Sequence, residues 1–142
     1  MEHTYDLNRF TQAHQSDFDR ALQEIRNGRK ESHWMWYIFP QIQGLGFSST
    51  AQYYAIRDLQ EAKDYLQHPV LGPRLKEISS ALLELEGLSA SEIFGYPDDL
   101  KLRSSMTLFR MADLDCPIFL EVLEKYYNGE PDFRTVELAA KL

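Results

Sequence analysis

Asp98-Asp99-Leu100-Lys101-Leu102-Arg103-Ser104-Ser105-Met106-Thr107-Leu108-Phe109-Arg110 is the stretch on which the fold class turns. Leu100, Leu102, Ser104, Met106 and Leu108 alternate with Lys101, Arg103, Ser105 and Thr107. That period of 2 favours a strand. No other segment offers a partner, and a lone strand leaves its backbone N–H and C=O groups unpaired. The segment is therefore read as a helix opening near Asp98. The fold class that follows is all-α.

Working outward, helical signals dominate. Asp6 precedes Leu7, Phe10 and Ala13 as a candidate N-cap, and Ser16-Asp17 opens a second segment. Phe18, Ala21, Leu22 and Ile25 then recur on one helical face, with Gly28 as a terminator. Ser32 to Phe39 must stop at Pro40. It has no polar face, and periodicity does not separate helix from strand there. Ser48 or Ser49 caps a helix through Tyr53, Tyr54 and Ile56, and Asp58 opens another that ends before Pro69. Leu75, Ile78, Leu82 and Leu85 form the strongest stripe. Ser89-Ala90-Ser91-Glu92 is a capping box, and Pro117 suits the first turn of a helix that Gly129 closes. A last helix runs from Phe133 to Leu142. The expected architecture is one domain over 1–142 with about seven helices. Leu22, Ile25, Leu75, Ile78, Leu82 and Val122 are its candidate core.

Composition agrees. The 142 residues are 44% hydrophobic and 13% aromatic, which marks a folded globule rather than a disordered chain. A chain of this size buries roughly 70% of its unfolded surface. No apolar run reaches the roughly 18 residues of a membrane span. The start, Met1-Glu2-His3-Thr4-Tyr5-Asp6, lacks the basic and apolar regions of a signal peptide. Cys116 is the single cysteine and cannot form an internal disulfide. A cytoplasmic location is expected. The net charge of −7 weighs against broad nucleic-acid binding and membrane-surface binding. His3, His14, His33 and His68 are scattered without cysteine partners, so no zinc site and no cofactor is expected.

Two stretches carry candidate chemistry. Ser32 to Tyr54 holds seven aromatics, both tryptophans and the loop Gly44-Leu45-Gly46-Phe47-Ser48-Ser49-Thr50. Stacking faces beside amide and hydroxyl donors are what a ligand pocket uses. Glycines before a helix start let an anion approach the backbone, or else they make a tight connection with a serine cap. Within 98–110, Arg103, Thr107 and Arg110 share one helical face, with Lys101 and Ser105 on the adjoining one. These donors call either for an anionic ligand or for Asp98, Asp99, Glu92 and Glu121 as ion-pair partners. Trp34, Gln41, Ser48, Ser49, Lys101 and Arg103 are the candidate ligand-binding residues, and the expected partner is a small anionic molecule.

The motifs Ser32-His33-Trp34-Met35-Trp36 with Ile38-Phe39-Pro40-Gln41, Gly44-Leu45-Gly46, Tyr54-Ala55-Ile56, His68-Pro69-Val70-Leu71-Gly72-Pro73-Arg74-Leu75 and Ile93-Phe94-Gly95 through Phe109 resemble an uncharacterised bacterial family. It is catalogued as a domain of unknown function, and its members are often labelled calpastatin. The resemblance implies a small all-α cytosolic protein and carries no catalytic residues. The eukaryotic inhibitor of that name is a disordered chain, and this composition is the opposite.

Three functions fit these readings. The first is a domain binding an anionic, nucleotide-like molecule. The second is an enzyme acting on such a molecule, with Asp99 or His33 as acid or base. The third is an interaction module presenting Trp34, Trp36 and Tyr37.

Overall fold

Asp98–Ala112 is a helix, and four others pack on it. The structure, a computed structural model, describes residues 5–141. Met1–Thr4, including His3 and most of the stretch read for a signal, and Leu142 lie outside them. The described residues form nine helices. These are α1 (Asn8–Arg26), α2 (Met35–Ile38), α3 (Ser49–Tyr54), α4 (Leu59–Gln67), α5 (Leu71–Glu84), α6 (Ala90–Phe94), α7 (Asp98–Ala112), α8 (Pro117–Tyr127) and α9 (Phe133–Lys141). Among the described residues there is no strand, only an isolated parallel bridge between Ile42 and Ile56.

Helix α7 runs through the middle of the assembly, against α4, α6, α8 and α9, while α5 packs on α1, α4 and α8. This explains the misleading alternation at 100–108. A helix surrounded on most sides has no sustained polar face, so Ser104, Ser105 and Thr107 are buried with Leu102, Met106 and Leu108. Their hydroxyls are partly served within the helix: Thr107 donates to the Arg103 carbonyl at 2.8 Å, while Ser104 Oγ lies 3.2 Å from the Leu100 carbonyl oxygen but has its closer acceptor in Asp132 at 2.9 Å. All six candidate core residues are buried.

Some boundaries differ from the sequence reading. The two segments expected at 7–13 and 16–25 are one helix, because Ser16 and Asp17 lie off its buried face and interrupt nothing. The residue that precedes α1 is Leu7, not Asp6, and it gives no side-chain cap. Only Met35–Ile38 of the 32–39 segment is helical, a single turn. The caps at Ser48, Asp58 and Ser89 form as expected.

The His68-to-Leu75 motif is a device of the fold. His68 Nδ1 accepts the backbone N–H groups of Val70 and Leu71 at 3.1 and 3.2 Å, which starts α5. A Cβ on Gly72 would lie 2.0 Å from the Leu66 carbonyl oxygen, so only glycine lets α5 approach α4 so closely.

Candidate functional site

The aromatic stretch and α7 meet in one cleft of about 460 Å³. One wall is the loop 41–56. Its two ends are tied together where Ile56 N–H donates to Gln41 O and Gln43 N–H to Ile56 O, each at 2.8 Å. Gly46 sits so near α3 that a Cβ there would lie 2.7 Å from the Ala51 Cβ. Ser48 Oγ accepts the Ala51 N–H at 3.1 Å and starts α3. The opposite wall is Pro97 and the first turns of α7.

Trp36, Leu45, Tyr54 and Leu100 supply apolar and stacking surface. Phe47 stands at the rim, 81% exposed. The polar groups are Gln41, Ser48, Lys101, Ser104 and Asp132. Lys101 and Ser104, at i and i+3, face the cleft together.

Lys101 is held in place from two sides. Its ammonium lies 5.6 Å from the Trp36 ring centroid and 3.4 Å from Asp98 Oδ1. The other oxygen of Asp98 binds the buried ammonium of Lys30 at 2.9 Å. Two ammonium groups thus share one carboxylate, which leaves positive charge at this end of the cleft. At the other end Asp132 caps α9. Its Oδ2 accepts from Ser104 Oγ at 2.9 Å, from Thr135 N–H at 3.3 Å and from the Thr135 hydroxyl.

A family model described as "Protein of unknown function (DUF1810)" matches residues 4–139. The chain belongs to this family. The crystal structure of the conserved hypothetical protein Rv1873 from Mycobacterium tuberculosis is similar to it, with 50% identity over 96% of this chain and 97% of that one and a TM-score of 0.94. A comparison with curated proteins returned no match. The family description assigns no activity, so the site must be read from its own residues. Among the described residues no helix is long and apolar enough to cross a membrane, and no cluster of three or more His, Cys, Asp or Glu has metal-holding geometry.

Of the six candidate residues in this DUF1810 domain, Gln41, Ser48 and Lys101 line the cleft. Trp34 does not. It is fully buried, with its indole N–H donating to Glu24 Oε1 at 2.9 Å. In a one-turn helix Trp34 and Trp36 point opposite ways, and only Trp36 reaches the cleft. Ser49 is the first residue of α3 and sits outside the cleft. Arg103 lies two residues past Lys101 on α7 and so faces the α8–α9 connection. There its Nε donates to the Glu130 carbonyl at 3.0 Å, and its Nη2 is 3.2 Å from the Glu130 carboxylate.

The acid/base candidates also lie outside the cleft. His33 is exposed. Asp99 accepts from Ser91 Oγ at 2.8 Å and from its neighbour's N–H at 2.9 Å, the role of a helix-start carboxylate. The exposed anchor expected at Trp34, Trp36 and Tyr37 is absent, since Trp34 and Tyr37 are buried and Trp36 is half-buried. The exposed rings are instead Phe47, Tyr53, Tyr96 and Phe133.

Glu24 organises the turn that separates the two tryptophans. Burial raises its pKa, but hydrogen bonds from the Ser32 hydroxyl and from the Glu31, Ser32 and Trp34 N–H groups outweigh that and bring it down to about 2. Sequence reasoning missed Ser104 and Asp132 as cleft residues. Asp132 three residues before Thr135 is legible as a cap, but nothing in its neighbourhood in the chain says that α7 lies beside it.

Proposed function

We propose that this DUF1810 domain binds a small anionic, nucleotide-like molecule in the cleft between the 41–56 loop and α7, in the bacterial cytoplasm. One observation carries the reading. Two segments far apart in sequence converge so that the Lys101 ammonium sits beside Trp36 at the edge of a concave, partly aromatic site. Lys101 takes the anionic group, Trp36 and Tyr54 give apolar faces to a planar ring, and the Gln41 amide and Ser48 hydroxyl orient it. Glycine has a packing reason at 46, so no phosphate cradle in the loop is needed for this reading. Neither of the acid/base candidates, Asp99 and His33, lines the cleft.

The test is a titration with the 5′-monophosphates of adenosine, guanosine, cytidine and uridine, followed by tryptophan fluorescence. Trp34 is sealed in the core, so any quench reports Trp36, and Trp36→Phe should remove it. Saturable quenching by at least one nucleotide below about 1 mM is expected, a Kd worth about −4.1 kcal/mol or better. No saturation with any of the four would sink the reading.

A further inference from the structure

The cleft has a second pole. All three hydrogen bonds that reach the Asp132 carboxylate land on Oδ2, and no described residue donates to Oδ1. Asp132 lines the cleft, and the groups that fix it, Ser104 and Thr135, are themselves buried. Ser104 and Lys101 are one helical turn apart, about 5–6 Å between Cβ atoms. A carboxylate with an open acceptor is therefore held roughly one turn from a cation, on the same wall.

This arrangement discriminates. A bare anion such as inorganic phosphate gains from Lys101 but meets the field of Asp132. A neutral ring stacks but leaves Lys101 unused. A ligand with hydroxyl donors near its anionic group satisfies both poles. From this we infer that Asp132 is a specificity-determining residue that accepts hydrogen bonds from the vicinal 2′,3′-diol of a ribose while Lys101 meets the phosphate. A carboxylate reading ribose hydroxyls is a familiar pairing; here the open Oδ1, with its two lone pairs, is the acceptor, because Oδ2 is already taken by Ser104 and Thr135. The inference rests on the proposed nucleotide site and narrows it to ribonucleotides.

The experiment compares the tightest of the four ribonucleoside 5′-monophosphates with its 2′,3′-dideoxy analogue, on wild-type protein and on Asp132→Asn. Asparagine caps a helix about as well as aspartate. Its amide oxygen can keep the Ser104 and Thr135 bonds, so its NH2 replaces the open acceptor with a donor. Wild type should bind the dideoxy analogue at least ten-fold more weakly. In Asp132→Asn the two should bind with equal Kd, and inorganic phosphate, which the Asp132 charge opposes in wild type, should compete better than it does there. Equal binding of both nucleotides by wild-type protein would overturn the diol assignment and leave the nucleotide site standing. Absence of binding by all would overturn the site itself, and the diol assignment with it. The wild-type comparison decides the matter even if Asp132→Asn fails to fold.

Discussion

Lys101 and Trp36 hold each other at the cleft edge, with the ammonium 5.6 Å from the ring centroid. A lysine over an indole face is attracted by the ring quadrupole, by about 0.5–1 kcal/mol where water still reaches it. The pair ties α2 to the first turn of α7. It also fixes where positive charge meets an aromatic plane.

Lys101→Ala should therefore act on ligands and hardly on the fold. Its ion pair with Asp98 is partly exposed, so the loss should stay within about 1 kcal/mol in a urea titration. Nucleotide affinity should fall at least ten-fold. Arg103→Ala is the matching control. Because Arg103 serves Glu130, nucleotide affinity should not change. A ligand effect from Arg103 but none from Lys101 would reverse the assignment of the cationic pole.

Gly72→Ala should be costly despite being a helix-favouring change. The new methyl would meet the Leu66 backbone oxygen at 2.0 Å, and backbone cannot swing aside as a long side chain does. Separating α4 from α5 should cost about 1–3 kcal/mol or more. A variant as stable as wild type by denaturant titration would show that this junction yields freely.

The fold was legible where local chemistry repeats it. Ser48, Asp58 and Ser89 each cap the helix that follows, and the stripe through Leu75, Ile78 and Leu82 points into the core. Helix α7 was legible only by exclusion, because enclosure on several sides erased its amphipathic period. The site was legible in part for a related reason. Composition places aromatics and donors in the 32–54 stretch, but it does not say which of Trp34 and Trp36 faces inward. That choice is made by Glu24, which captures the Trp34 N–H from another helix. Likewise Lys101 and Arg103 look equivalent in sequence. Two residues of helix turn them roughly 200° apart, and only the placement of Glu130 and Trp36 shows which of the two faces the cleft.

Arg9 and Glu61 form a buried ion pair at 3.0 Å, with side chains 6% and 0% exposed. Arg9 also donates to the Tyr53 and Ala55 carbonyls at 2.9 and 2.8 Å, and Glu61 accepts the Arg57 N–H at 2.8 Å. The pair thus anchors the cleft loop to α1 and α4. Arg9→Met would strand the Glu61 charge and should cost about 3–5 kcal/mol. Arg9→Met with Glu61→Leu should recover a large part of that loss, since neither charge is then buried alone. A double-mutant cycle measures the coupling. Additive losses would show that the two residues act separately.

Acid should unfold the domain in two stages with separate owners. His14 is buried on α1, its Nε2–H donating to the Tyr37 carbonyl at 2.7 Å and its Nδ1 without a partner. Burial holds its pKa down to about 4, well below the usual 6.5. The unfolded chain therefore takes up a proton that the folded chain refuses. The stability that neutral His14 allows is complete above pH 6.5 and is lost as pH falls from there to about 4. Glu24 acts lower. With its pKa near 2 against 4.5 when unfolded, its contribution is complete above pH 4.5 and is lost as pH falls toward 2. His14→Gln should flatten the stability profile between pH 6.5 and 4 and leave the lower limb intact. Glu24→Gln should do the reverse, on a lower plateau because the neutral amide holds the Ser32 and Trp34 donors less tightly. Chemical denaturation at a series of pH values reads both. If His14→Gln kept the full loss between pH 6.5 and 4, that loss would belong to another group, and His14 would have to be accommodated as a cation in the core.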